Sequence, residues 1–380
     1  MSAANRTFAT LGSALGSHLA TRGPWQTPVL GIGRSLVALA SLSTLIATPT
    51  STLFYRSPSF PDGFVCLPPT KHVLLPCATG GGGAWSLIWQ LVLIAVLLVV
   101  VSGWRPRWTC IPHWLATFWF VNITPIPDGG DHLALVLSGL LIPLCLADDR
   151  RWHWTWKQTG QSPTARDAIG HLALVAIQIQ AFFVYVHASV AKVVVAEWVD
   201  GTAIWYWSRQ IAFGFPESIR PVTDELFSHT VIVAGVTWGS LFIEAFLVLA
   251  IVRGGIARYP ALAIGLLFHL FIAITMGLVS FFLSAAALLT LTFGAPIASS
   301  MRSGVATALE TWPRPATTKR SPNPTNPLTD KEEETCQIEL NLSNDRVLAG
   351  TSHSSCESQP FSLPSSAPTS SSALSATKSR

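Results

Sequence analysis

The segment AIGHLALVAIQIQAFFVYVHASVAK, residues 168–192, decides how this chain folds. It is apolar enough and long enough to cross a bilayer, which takes about 20 residues. Polar side chains nevertheless recur in it at every seventh position: His171, Gln178, Tyr185 and Lys192. Because seven residues are almost two full helical turns, these side chains share one face of the predicted helix. A polar face inside a membrane is expected to contact protein or a watery cavity, so its ionisable groups are candidates for function.

The composition indicates an all-α, polytopic membrane protein. The 380 residues are 49% hydrophobic and 12% charged, and the charged share is about half the roughly 25% typical of soluble domains. The mean hydropathy is +0.44. The formal charge of +4 comes from basic residues scattered through short loops, so nothing supports binding to nucleic acid.

The hydropathy pattern predicts seven or eight membrane segments. Seven apolar runs are visible, at 29–47, 84–102, 132–147, 168–192, 229–252, 260–279 and 280–297. The aromatic stretch 113–127 is short, and we predict that it forms a broken or partial eighth crossing among the other helices. Eight crossings place the basic loops near 104–107 and 148–157 on the same side as both termini, and the positive-inside rule assigns that side to the cytoplasm.

Three regions follow from this pattern. Residues 1–28 are expected to be a cytoplasmic segment, 29–298 the transmembrane domain, and 299–380 a disordered cytoplasmic tail rich in Ser, Thr and Pro. The outer side then holds a loop with Cys66 and Cys77, which we expect to form a disulfide in an oxidising space. It also holds residues 201–213, rich in Trp and Tyr, which are expected to form a short interfacial helix covering Lys192.

Lys192 allows two interpretations. If it is desolvated, the amine loses its proton more easily and can act as a general base. Alternatively, it extends to the interface and merely anchors the end of a helix. Ser189 lies one turn before it on the same face, whereas His187 lies about 140° around the helix and is better explained as a structural histidine.

Two further groups of polar residues interrupt apolar sequence. Glu244 lies inside an apolar span, so it needs a partner, and we predict a hydrogen bond to His269 that acts as a proton relay or as a structural contact. The turn Asp128-Gly-Gly-Asp131 is expected to cap the next helix through Asp131. Binding of a cation by its two carboxylates is the alternative.

A family resemblance is carried by the run YVHASVAKVVVAEWVDGTAIWYW, residues 185–207. It resembles the motif of the HTTM group, membrane proteins with a vitamin K-dependent γ-carboxylase-like transmembrane domain. The segments DGGDHLALVLSGLLIPLCLADDRRWHW (128–154), HASVAK (187–192) and W-x-x-GTA-x-W-Y-W (198–207) resemble, more narrowly, the bacterial SdpB family. The resemblance covers about residues 25–300.

The resemblance implies a fold, a site and partners. In the γ-carboxylases the lysine aligned with Lys192 is the proposed base that activates reduced vitamin K. Proteins of the SdpB family act with SdpA partners in maturing SdpC, a secreted antimicrobial peptide. We expect an SdpB-like protein rather than a full carboxylase, because no large outer domain follows the membrane region.

The expected site is a cavity under the interfacial helix with Lys192 as candidate base. The other candidate catalytic residues are Tyr185, His187, Ser189, Glu244 and His269. The candidate substrate-binding residues are Trp198, Gly201, Trp205 and Tyr206. No metal ligands are predicted, since no cluster has recognised spacing.

Three functions fit these observations. The first is maturation of an SdpC-like peptide in the cell membrane, with an SdpA-like protein, the peptide precursor and membrane lipid as partners. The second is a γ-carboxylase-like membrane enzyme that uses a lipid quinone, although no cofactor is established. The third is a non-catalytic membrane escort or immunity-like protein, in which the polar face only packs helices. The reaction itself does not follow from the sequence, because no nucleophile and base occur at recognised spacing.

Overall fold

The computed structural model describes residues 25–301 except 62, 68–72, 81, 126, 157–164 and 212. Within these ranges the fold is all-α, and no β-strand is present. The expected cytoplasmic segment before residue 25 and the expected tail after residue 301, with Cys336 and Cys356, lie outside the described residues.

Eight long helices form the described bundle. They are α1 (Pro28–Ala47), α2 (Ala84–Ser102), α3 (Pro106–Ile123), α4 (Gly129–Ala147), α5 (Ala165–Val193), α6 (Thr230–Arg253), α7 (Arg258–Met276) and α8, which begins with Val279–Leu289 and continues through the π-helical turn Thr290–Gly294 to Met301. All of them except α3 are long and apolar enough to cross a membrane. The chain is therefore a multi-pass membrane protein.

Helix α3 differs from the expected broken span. It is continuous from Pro106 to Ile123, roughly 27 Å at 1.5 Å per residue. Pro106 occupies the first turn, where its missing N–H does no harm. The helix is joined by short connections to α2 and α4 and packs on both, with Phe120 fully buried. Hydropathy alone misses this helix because polar residues lower its mean hydropathy, and three of them, Thr109, His113 and Thr117, are buried against protein.

One end of the bundle gathers the basic loops. The side chain of Arg150 donates a hydrogen bond to the carbonyl of Thr27, just before α1 (3.4 Å). The Arg105 N–H, between α2 and α3, donates to the Arg151 carbonyl, between α4 and α5 (2.8 Å). We call this the basic end, comprising residues 25–27, 103–107, 148–156 and 253–258.

A buried arginine of α1 joins α2, α3 and the loop after α4 at the basic end. The Arg34 guanidinium donates to Thr109 Oγ1 (2.7 Å) and to the Val100 carbonyl (3.3 Å), and lies 3.3 Å from Nδ1 of His153. Burial, with the charges of Arg34 and Arg150, lowers the pKa of His153 to about 3. The imidazole is therefore neutral at physiological pH and can accept the Arg34 hydrogen bond.

The opposite end carries the longer connections. Cys66 and Cys77, in the connection between α1 and α2, form a disulfide with their Cα atoms 5.8 Å apart. Between α5 and α6, residues 194–229 contain the short helices Ala196–Val199, Ala203–Trp207 and Arg220–Phe227. We call residues 194–229, outside 212, the lid.

The interfacial helix of the lid is shorter than the predicted range 201–213. Only Ala203–Trp207 is helical. The chain folds back after it, and the Phe215 N–H donates to the Ser208 carbonyl (2.8 Å). This turn ends the helix because it uses the backbone groups that a longer helix would need.

Candidate functional site

The polar face of α5 contacts neighbouring helices in its middle and at its lid end. Near the basic end, Nδ1 of His171 is 2.8 Å from the carbonyl of Asp167, one turn earlier. In the middle, the Gln178 amide donates to the carbonyl of Thr292 (3.3 Å), inside the π-helical turn of α8. A π-turn displaces backbone groups from the regular helical pattern, and here one of them accepts a hydrogen bond from a neighbouring helix.

At the lid end, Lys192 of α5 forms an ion pair with Glu244 of α6. Ser189 donates to the other carboxylate oxygen of Glu244 (3.3 Å). The Glu244 side chain is 6% exposed and that of Lys192 22%, so the carboxylate is enclosed while the amine keeps a path to solvent.

Helix geometry explains why Lys192 points inward. Side chains on a helix lean toward its N-terminus, so a lysine in the last turn extends back along α5. Its ammonium group thereby reaches a carboxylate inside the bundle instead of the interface. This orientation is the opposite of the outward extension considered for a membrane-anchoring lysine.

The predicted hydrogen bond between Glu244 and His269 is wrong. Nδ1 of His269 lies 2.8 Å from the Gly265 carbonyl on its own helix, and Glu244 is bonded to Lys192 and Ser189 instead. The buried imidazole remains part of the site through ring packing.

Tyr185 of α5 is the next member of the site. Its ring meets that of His269 edge-on, with centroids 6.0 Å apart. The residue is 3% exposed, and its hydroxyl has no hydrogen-bond partner among the described residues. Buried polar groups are almost always satisfied, so a free hydroxyl beside an ion pair is available to a ligand or a water.

The lid is attached directly above the ion pair. The ring of Trp198 lies 5.2 Å from Nζ of Lys192, close enough for a cation–π interaction. The Ile204 N–H, at the start of the central lid helix, donates to Oγ1 of Thr237 on α6 (3.2 Å). Thr237 lies seven residues before Glu244, so one face of α6 holds both the lid and the carboxylate.

Gly201 allows the lid to approach α6 closely. Its φ of +77° is a left-handed conformation, and a Cβ added there would lie 3.0 Å from the indole ring of Trp238. The Trp238 indole N–H donates to the carbonyl of Val199 (3.2 Å). The glycine is therefore required by backbone geometry and packing.

The structure brings six candidate residues into one group: Tyr185, Ser189, Lys192, Trp198, Glu244 and His269. His187 is exposed on α5 and forms no hydrogen bond within the described part of the chain. The Trp205 ring packs under the Arg209 guanidinium at 3.4 Å, and Tyr206 is exposed. Sequence reasoning missed Thr237 as the attachment point of the lid and Trp238 as its support, and no periodic signal marks either role.

Asp128, the N-cap of α4, and Asp131, in its first turn, form a capping box. The Asp131 N–H donates to Oδ1 of Asp128 (2.8 Å), and the Asp128 N–H donates to Oδ2 of Asp131 (3.3 Å). These bonds satisfy N–H groups that the first turn leaves free. Among the described residues, no three His, Cys, Asp or Glu side chains lie close enough together to hold a metal ion.

Comparison with known proteins gives two relatives from Bacillus subtilis (strain 168). The chain is 32% identical over 282 residues to the uncharacterized protein YitO, an alignment covering 74% of this chain and 89% of YitO. It is 30% identical over 261 residues to the sporulation-delaying protein SdpB, covering 68% of this chain and 78% of SdpB. No family model matches the chain, and no solved structure matches it. The wider likeness to γ-carboxylase-like domains thus rests on residues 185–207 alone.

Proposed function

Since the chain belongs to the SdpB family, we propose that it acts in maturing a secreted antimicrobial peptide of the SdpC type. The work takes place at the outer face of the cell membrane, with an SdpA-like protein as partner. The named relative is a sporulation-delaying protein, and the seven apolar helices are those of a multi-pass membrane protein. The positive-inside rule assigns the basic end to the cytoplasm, which leaves the lid and the ion pair on the outer side.

The observation that carries this proposal is the ion pair beneath the lid. Two opposite charges in a low-dielectric site are stabilised by each other, but transfer of one proton from Lys192 to Glu244 leaves two neutral groups, whose burial costs much less free energy than that of charged groups. The neutral amine is then a general base for a proton of the substrate.

The neighbouring groups have supporting roles in this proposal. Ser189 fixes the orientation of the Glu244 carboxylate through its hydrogen bond. The hydroxyl of Tyr185, without a partner among the described residues, donates a hydrogen bond to a substrate oxygen. The aromatic lid, with Trp198 against Lys192, limits the access of water to the amine and binds the apolar part of the peptide.

The ion pair also supports a second function, a non-catalytic escort of the peptide. In that case Lys192 and Glu244 only join α5 to α6, and their proton never moves. The two functions differ in whether position 192 needs a base or only a cation.

The variant Lys192→Arg distinguishes the catalytic function from the escort function. Guanidinium keeps the positive charge and can pair with Glu244, but it stays protonated and cannot act as a base. We expect cells with the cognate precursor and partner to lose secreted peptide activity while the membrane level of the variant, measured by immunoblot, stays normal. Lys157→Arg, the same substitution in the basic sequence segment 148–157, is the matched control and should behave like the wild type. Full activity of Lys192→Arg would leave the escort function as the better account.

A further inference from the structure

Five tryptophans at or next to the basic end of the described bundle are each more than a third exposed. They lie between α2 and α3, in the first turn of α3, and between α4 and α5: Trp104, Trp108, Trp152, Trp154 and Trp156. Trp108 is 70% exposed. Tryptophan is highly buried on average in folded proteins, and in membrane proteins it is enriched where the spans meet the lipid headgroups. These rings therefore mark the level of the membrane–water interface.

Backbone contacts join the two loops that carry most of these tryptophans. The Arg105 N–H donates a hydrogen bond to the Arg151 carbonyl (2.8 Å). Next to this bond, Trp104 and Trp152 form an isolated antiparallel β-bridge. The two loops therefore lie side by side and present one continuous surface. We use the name paired loops for residues 103–108 and 151–156.

The paired loops carry positive charge that the protein leaves unpaired. Three of their arginines are exposed and form no ion pair with any described residue: Arg105, Arg107 and Arg151. Neither loop contains an aspartate or a glutamate. Just before the second loop, Asp148 is buried and paired with Arg150, and only Asp149 is exposed. The surface thus combines three unpaired guanidinium groups with exposed indole rings.

Arg105 has a backbone conformation that usually belongs to glycine. Its φ is +41°, and no other non-glycine residue in the described ranges has a positive φ. A residue with a Cβ adopts this conformation at a cost in free energy, and such strain is concentrated at functional sites. Glycine would fit this turn without strain. An arginine here therefore points to a role of its side chain in binding rather than in folding.

We propose that the paired loops bind the headgroup of an anionic phospholipid. Guanidinium groups bind phosphate through charge-assisted hydrogen bonds, and arginines next to a membrane surface attract anionic lipids. A dissolved phosphate ion has the same chemistry, but the exposed indole rings fit a membrane interface and contribute nothing to the binding of such an ion. The proposal depends neither on Lys192 nor on a peptide substrate.

Native mass spectrometry of the purified full-length protein identifies the lipids that stay bound. The protein in detergent micelles is incubated with equal amounts of phosphatidylglycerol and phosphatidylcholine that have the same acyl chains. We expect the wild type to retain phosphatidylglycerol in preference to phosphatidylcholine by about tenfold or more, since three arginines contribute. An excess of inorganic phosphate should leave this preference unchanged.

Substitutions of Arg105 distinguish its charge from its backbone strain. Arg105→Gln and Arg105→Gly should each lower the lipid preference about fivefold, whereas Arg105→Lys keeps the charge and should keep most of the preference. In nanodiscs of phosphatidylcholine alone, Arg105→Gly should unfold about 2 °C above the wild type, because glycine adopts a positive φ without strain. Arg105→Gln should show no such gain. Arg56→Gln, which removes an exposed charge from the α1–α2 connection at the opposite end, is the matched control and should retain the full preference.

Three results would overturn the proposal. Equal retention of the two lipids by the wild type, or full preference in Arg105→Gln, would leave an acidic protein as the better partner of this surface. Release of phosphatidylglycerol by inorganic phosphate would assign the arginines to a dissolved anion. An unfolding temperature of Arg105→Gly below that of the wild type would show that Arg105 stabilises the fold, so that its conformation would no longer indicate a binding role.

Discussion

The ion pair between Lys192 and Glu244 predicts that removing Lys192 alone destabilises the protein more than removing both partners. The test compares Lys192→Met, Glu244→Gln and the double variant. Methionine keeps most of the volume of lysine, and glutamine that of glutamate, so the charges change while packing is nearly preserved.

The expected loss in the free energy of unfolding depends on how exposed each partner is. Lys192→Met leaves the buried carboxylate with only the Ser189 hydroxyl, which should lower the free energy of unfolding by about 3 kcal/mol. Glu244→Gln leaves Lys192, whose side chain is 22% exposed and can turn toward water. That change should lower the free energy of unfolding by about 1 kcal/mol. The double variant also loses about 1 kcal/mol, which gives a coupling of about 3 kcal/mol.

Unfolding in mixed micelles with increasing sodium dodecyl sulfate, followed by circular dichroism, measures these free energies. The exposed pair Arg209 and Asp224 of the lid, with side chains 32% and 52% exposed, provides a matched cycle. Its coupling should stay at or below about 1 kcal/mol. Additive losses in the Lys192 and Glu244 cycle, no larger than in the lid cycle, would refute the reasoning that the site holds a desolvated ion pair.

Three further predictions concern topology, the disulfide and the lid. Reporter fusions at Lys157 and Glu217 should report opposite compartments, since the first lies in the basic loop and the second in the lid; one shared compartment would contradict the eight-crossing arrangement. Mass spectrometry of the non-reduced protein from native membranes should find the disulfide of the α1–α2 connection intact, and two free thiols would exclude an oxidising environment there. Gly201→Ala should destabilise the protein by about 1–3 kcal/mol and speed proteolysis of the lid. Gly235→Ala, where a Cβ meets no atom within 4 Å, should have little effect on either measurement.

The helices were largely predictable because a membrane span has a simple physical signature. Length and hydropathy located seven of the eight long helices. The seven-residue spacing in α5 singled out Gln178 and Lys192, which bond to neighbouring helices, and the buried Tyr185. Helix α3 escaped this reasoning because a buried helix among other helices does not need an apolar surface all round. Its Phe120 is packed by protein, whereas Trp108 remains exposed.

The partner of Glu244 was not predictable from the same signals. Periodicity shows which face of a helix a residue occupies, but it does not show which neighbouring helix packs against that face. Both His269 and Lys192 were compatible with the pattern. The direction in which helical side chains lean favours Lys192, whose side chain points back into the bundle from the last turn of α5.

Helix α6 connects the lid to the ion pair. Thr237 and Trp238 of α6 form hydrogen bonds with the lid, and Glu244, two turns further along the same helix, forms the ion pair with Lys192. A tilt of α6 away from α5 would lift the lid and withdraw the carboxylate from Lys192 in a single movement. One movement of α6 would therefore both open the site and change the charge next to the amine. We expect the accessibility and the reactivity of Lys192 to change together.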